Sequence, residues 1–172
     1  MNIIPDKAQE VLNQHKTIKK IALKYKDAKD FLYIGRGISY PCALEGALKL
    51  KETSYIHAEG FAAGELKHGP LAMVDKNLPT LAIATDSPLL DKTYSNIEEI
   101  KARKSPLIAI ATEGNRKIKK LTEDVIYIPK TLEQAQPILE AIVLHLFSYY
   151  IAESKGVNID RPRNLAKSVT VE

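Results

Sequence analysis

The chain has 172 residues, 45% hydrophobic and 27% charged, with a net charge of +4. That suits one soluble domain, and it excludes a disordered chain, a collagen-like repeat and a coiled coil. No apolar run approaches the roughly 20 residues of a membrane helix, so no membrane contact is expected. Basic residues are mixed with acidic ones along the chain, not clustered as a nucleic-acid surface requires. Cys42 is the single cysteine, so an internal disulfide and a multi-cysteine metal site are both excluded. The opening Met1-Asn2-Ile3-Ile4-Pro5 is no signal peptide, and a reducing, cytoplasmic setting is expected.

Residues 5–27 read as one amphipathic helix, with Val11, Leu12, Ile18, Ile21, Ala22 and Tyr25 near helical spacing and Pro5 in the first turn. Phe31-Leu32-Tyr33-Ile34 is a short apolar run ending at Gly35-Arg36-Gly37, which predicts a buried strand and a tight turn. A helix rich in Ala, Leu, Lys and Glu follows over 41–58. Residues 59–70 carry three glycines and read as irregular, with one helical turn within Ala62–His68. Strands are predicted at 80–84, 107–111 and 125–128. Ser87 is expected to cap a helix over 87–103, with a short helix at 115–121 and a long one over 133–155, ended by Gly156. Continuous apolar strands alternating with helices predict a three-layer α/β/α sandwich around a parallel sheet. Residues 1–156 form that domain and 157–172 a separate tail, which has no apolar period.

Three groups of residues suggest chemistry. The Gly35-Arg36-Gly37-Ile38-Ser39 turn joins a strand to a helix, where phosphates bind in such folds; a purely structural turn is the equal alternative. Glu45, Lys49 and Glu52 fall at i, i+4 and i+7 on one helical face. A carboxylate beside a lysine among small and apolar residues is a candidate for proton transfer, though a solvated ion-pair stripe has the same spacing. His68, among glycines, is a candidate acid or base or a solvated loop residue. His15 is expected on a helix surface, His57 at a helix end, and His145 in the core or an interface. No histidine pair has zinc-helix spacing, so no metal site is expected.

Gly35-Arg36-Gly37, Tyr40-Pro41, the run Ala43 to Glu52, Ser54 to Glu59, Gly64 to Pro70 and the ending Arg161 to Glu172 together resemble the glucosamine-6-phosphate synthases. These are the isomerizing glutamine–fructose-6-phosphate aminotransferases. The resemblance spans nearly the whole chain. It covers only the second of the family's two sugar isomerase (SIS) subdomains and the C-terminal tail. It therefore implies an SIS fold and a segment of a longer protein, lacking the glutaminase domain and the first SIS subdomain. Cys42 does not match the family's terminal nucleophile.

By the same resemblance, Glu52 is the base that moves a proton between C1 and C2 of fructose 6-phosphate, and Lys49 supports it. His68 opens the sugar ring, acting across a homodimer interface. Lys167 forms a Schiff base with the open ketose, and Ala166 offers a backbone contact. The product is glucosamine 6-phosphate, and no cofactor is implied. The phosphate would be held by the missing subdomain, which favours a structural Gly35–Gly37 turn. The fragment alone is expected to be inactive. Two other readings compete: a stand-alone sugar-phosphate-binding SIS module without catalysis, and an oligomerisation half.

Overall fold

The computed structural model describes residues 3–163. Ala166 and Lys167 lie outside the described residues. The helices are α1 (Ile4–Asn13), α2 (His15–Lys24), α3 (Ser39–Ser54), α4 (Leu90–Ala102) and α5 (Gln136–Ser154). The strands are β1 (Asp30–Gly35), β2 (His57–Ala62), β3 (Thr80–Ala84), β4 (Leu107–Thr112) and β5 (Asp124–Ile128). All pair in parallel, in the order β2-β1-β3-β4-β5.

The apolar strands sort their residues by alternation. Phe31, Tyr33, Leu81, Ile83, Ile108, Ile110, Ile126 and Ile128 face one core with α1, α2, α3 and α5. Their neighbours Leu32, Ile34, Ala82, Ala84, Ala109 and Ala111 face a second core, covered by α4 and the 3-10 turn Ala63–His68. Successive strand residues point to opposite faces, so the Ile-Ala alternation of β3 and β4 puts bulk on the side with more helices. This is the predicted three-layer sandwich.

Four boundaries differ from expectation. Residues 5–27 form two helices, because Gln14 leaves helical geometry (ψ 6°) and its side-chain amide donates to the Tyr127 carbonyl at 2.8 Å. Residues 57–62 form strand β2, where the sequence predicts the end of the preceding helix at 57–58 and irregular chain from 59; that helix stops at Ser54. Being an edge strand with only Ala58 fully buried, β2 carries no apolar run. Gly60 marks its close contact with α3, since a Cβ there would stand 2.9 Å from backbone atoms of Ala43 and Leu44. Ser87 does not cap α4: its hydroxyl accepts from the Leu89 amide, and the helix starts at Leu90. Within 115–121 only Ile118–Lys120 is helical, as a 3-10 turn.

Helix α5 is apolar on nearly all sides. With the preceding turn it spans Glu133–Ser154, long and apolar enough by composition to cross a membrane, contrary to the expectation from run length; 56% of that window is buried in the protein. Its packing against α3, α2 and α1 accounts for that composition.

Candidate active site

Helix α3 carries the charged stripe. The tight turn feeding it needs Gly35, where a Cβ would stand 2.3 Å from the Ser39 carbonyl oxygen, and Gly37, at φ +53°. Further along, Lys49 Nζ donates to Glu52 Oε2 at 2.7 Å and stands 3.9 Å from Glu45 Oε1. Glu45 Oε1 lies 2.8 Å from Nε2 of His145 on α5. The sequence-predicted trio is thus brought together, and His145 joins it. That histidine is half exposed rather than buried in the core, because it lies on the rim where α5 crosses α3.

The hydrogen bond to Glu52 raises the Lys49 pKa, outweighing the opposing desolvation. Lys49 is therefore a fixed ammonium at neutral pH, not a proton acceptor. Glu52 is half-buried, with one oxygen committed to that cation. A proton-shuttling carboxylate needs such a fixed orientation. A cavity of about 290 Å³ opens on the α5 side of Lys49, lined in part by Lys49, Thr53, His145, Tyr149 and Ile159.

His68 is elsewhere. It ends the 3-10 turn Ala63–His68, 75% exposed, with Glu65 Oε2 at 3.9 Å. That turn packs with α4 on the face of the sheet opposite α3. Lys67 fastens it through a 2.8 Å bond to Glu99, which lowers the Glu99 pKa. His68 and Glu52 are not brought together within one chain. His57 is at the start of β2, not at a helix end, with Nδ1 3.2 Å from Asp30 Oδ1. Exposed His15 reaches Tyr150. Among the described residues, no cluster of three or more His, Cys, Asp or Glu could hold a metal.

The crevice between β1 and β3, where the strand order reverses, is the usual ligand position of such sheets. Here a carboxylate fills it. Ser39 Oγ donates to Glu140 Oε1 at 2.9 Å and Thr85 Oγ1 to the same oxygen at 2.7 Å. Glu140 is fully buried, its Oε2 has no partner among the described residues, and burial raises its pKa. Burial, and then Glu140, push the nearby Cys42 thiol up to about 12. The two hydroxyls that face this crevice, Ser39 and Thr85, are thus committed to Glu140. Reasoning from sequence missed Glu140 and Thr85; the one available signal was an acid inside the apolar stretch 138–151.

Known proteins share this sequence and fold. Over 169 residues the chain is 57% identical to a glutamine–fructose-6-phosphate aminotransferase (isomerizing) of Chlorobaculum tepidum, covering 98% of this chain and 28% of that protein. A Thermotoga maritima protein of the same name is 51% identical with the same coverage. The chain thus spans under a third of the length of these relatives. Among solved structures, the C-terminal domain of the Francisella tularensis glucosamine-fructose-6-phosphate aminotransferase superposes with a TM-score of 0.85 at 39% identity, over 93% of this chain and 45% of that one. A tagatose-6-phosphate ketose/aldose isomerase from Escherichia coli shares the fold alone, at TM-score 0.78 and 19% identity over 94% of this chain and 47% of that one. The SIS domain model matches residues 24–153, three-quarters of the sequence and all five strands of the sheet: the chain belongs to the SIS domain family.

Proposed function

We propose that this chain is the second SIS subdomain and tail of a glucosamine-6-phosphate synthase, supplying the acid-base half of its isomerase site. The observation that carries this reading is the Glu52–Lys49 pair, a half-buried carboxylate held by a fixed ammonium beside an open cavity. His68 opens the ring of fructose 6-phosphate. The Lys167 amine adds to C2, and loss of water leaves an iminium. Ammonia from the glutaminase domain displaces the lysine. Glu52 then takes a proton from C1 and returns it to C2, giving glucosamine 6-phosphate. One carboxylate serves both carbons because they are adjacent, and Lys49 keeps it oriented. Ala166 contributes a backbone contact, and the chemistry needs no cofactor.

The site is incomplete in one chain. Its phosphate cradle belongs to the first SIS subdomain, which docks against α3 and α5, where the large apolar side chains Leu44, Leu48, Ile138 and Tyr149 are exposed. The greater length of the Francisella tularensis domain supports this partner. His68, carried on the other face of the sheet, serves the site of a second subunit in a homodimer. The reaction is that of a cytoplasmic enzyme.

The competing sugar-phosphate module would need free hydroxyls at the strand-order reversal, and Glu140 holds them. A thermal shift of this chain with glucosamine 6-phosphate, against glucosamine and inorganic phosphate, separates the two readings. A ligand bound only to the folded state must raise the melting temperature. No shift is expected. A shift specific to the sugar phosphate would instead establish a stand-alone site.

A further inference from the structure

The spacing of the charged stripe on α3 sets two carboxylates against each other. Lys49 has Glu45 one turn before it and Glu52 one turn after it. In an isolated helix the favoured partner of a lysine is a glutamate four residues ahead of it, and the reverse order is weaker. Local preference would therefore turn Lys49 back to Glu45. The structure shows the opposite: Lys49 donates to Glu52 Oε2 at 2.7 Å, while Glu45 Oε1 stands off at 3.9 Å.

The cause lies on another helix. Nε2 of His145, on α5, is 2.8 Å from Glu45 Oε1, the same oxygen that faces Lys49. A carboxylate oxygen only accepts, so Nε2 carries the proton and donates. That bond holds Glu45 toward α5 and occupies the oxygen nearest the ammonium. Glu45 and Lys49 are both partly exposed, and such pairs are weak. One hydrogen bond from a neighbouring helix is then enough to decide which carboxylate the lysine takes. His145 is itself half exposed and stands outside the core.

We propose that His145 is a positioning residue for the acid-base pair: by holding Glu45 it frees the Lys49 ammonium to orient Glu52. This rests on the function proposed above. His145 binds Glu45 and Lys49 binds Glu52, so a residue of α5 acts on the reacting carboxylate without touching it. Without His145, Glu45 competes for Lys49, and Glu52 spends part of its time unheld. A carboxylate held off its line of proton transfer loses rate, while the substrate still binds.

The test uses a full-length synthase carrying this segment and follows sugar isomerisation. His145→Leu keeps an apolar body of similar reach and loses the donor. Its kcat should fall roughly tenfold, a loss that misplacement of a reacting group readily causes. KM for fructose 6-phosphate should stay within about twofold, since binding is not what is lost. The melting temperature should hardly move, as is usual for an exposed position. His145→Gln, whose side-chain amide can donate to Glu45, should recover most of the rate. In a Glu45→Gln background His145→Leu should cost nothing further, because the competing charge is gone; members of one network are non-additive in this way. Wild-type kcat in His145→Leu would overturn the proposal. An equal loss in the Glu45→Gln background, or no recovery with His145→Gln, would overturn it too, by marking a purely structural role. Wild-type isomerisation in Glu52→Gln would overturn the underlying functional reading instead.

Discussion

Glu140 shows how a single buried acid decides what a crevice can hold. Two hydroxyls converge on one of its oxygens while the other has no partner among the described residues. Leaving a buried polar atom unpaired costs about 1–3 kcal/mol, and burial favours the neutral acid. The linkage follows from the raised pKa. Below the ordinary carboxylate pKa, folded and unfolded states are both protonated and no penalty applies. As pH rises, the unfolded chain loses its proton first, so stability falls until the folded pKa is passed. Glu140→Gln should remove this contribution. Melts between about pH 4 and pH 8 should show a flatter profile and higher stability at the upper end. A profile with unchanged slope would mean that Glu140 does not titrate as its surroundings require.

At the scale of elements, α3 organises the site, and its approach to the sheet is set by small residues. Gly60 lets the helix backbone come close to edge strand β2. Gly60→Ala should push α3 outward and cost roughly 1–3 kcal/mol, as overpacking does. Urea denaturation would measure it, and a loss below a few tenths would show that the contact is slack. The elements also show what the sequence could reveal. Periodicity alone placed Glu45, Lys49 and Glu52 on one face, because helical spacing is local. It could not find His145, about a hundred residues away, which meets Glu45 only through the packing of α5 on α3. The apolar strands β1, β3, β4 and β5 were legible because burial on both faces leaves continuous runs. β2 was not, since an edge strand under a close helix is built of small and polar residues. The break at Gln14 was hidden for a similar reason: a tertiary bond to Tyr127 overrides an unbroken helical pattern.

For the whole molecule, the sheet separates the proposed groups. Glu52 and Lys49 stand on the α3 side, His68 on the α4 side, and the span is under a third of the related synthases. In the proposed reading this chain supplies one part of a shared site. Lys49 is held charged by Glu52, which is why the proposal gives the proton chemistry to the carboxylate. The most direct measurement is Glu52→Gln in a full-length synthase, following both sugar isomerisation and glutamine hydrolysis. The neutral amide keeps the size of the side chain and loses the base. Isomerisation should fall by at least about a hundredfold, the usual scale of general acid-base catalysis, with glutamine hydrolysis still measurable. Isomerisation at the wild-type rate would contradict the role of Glu52 and the account built on it.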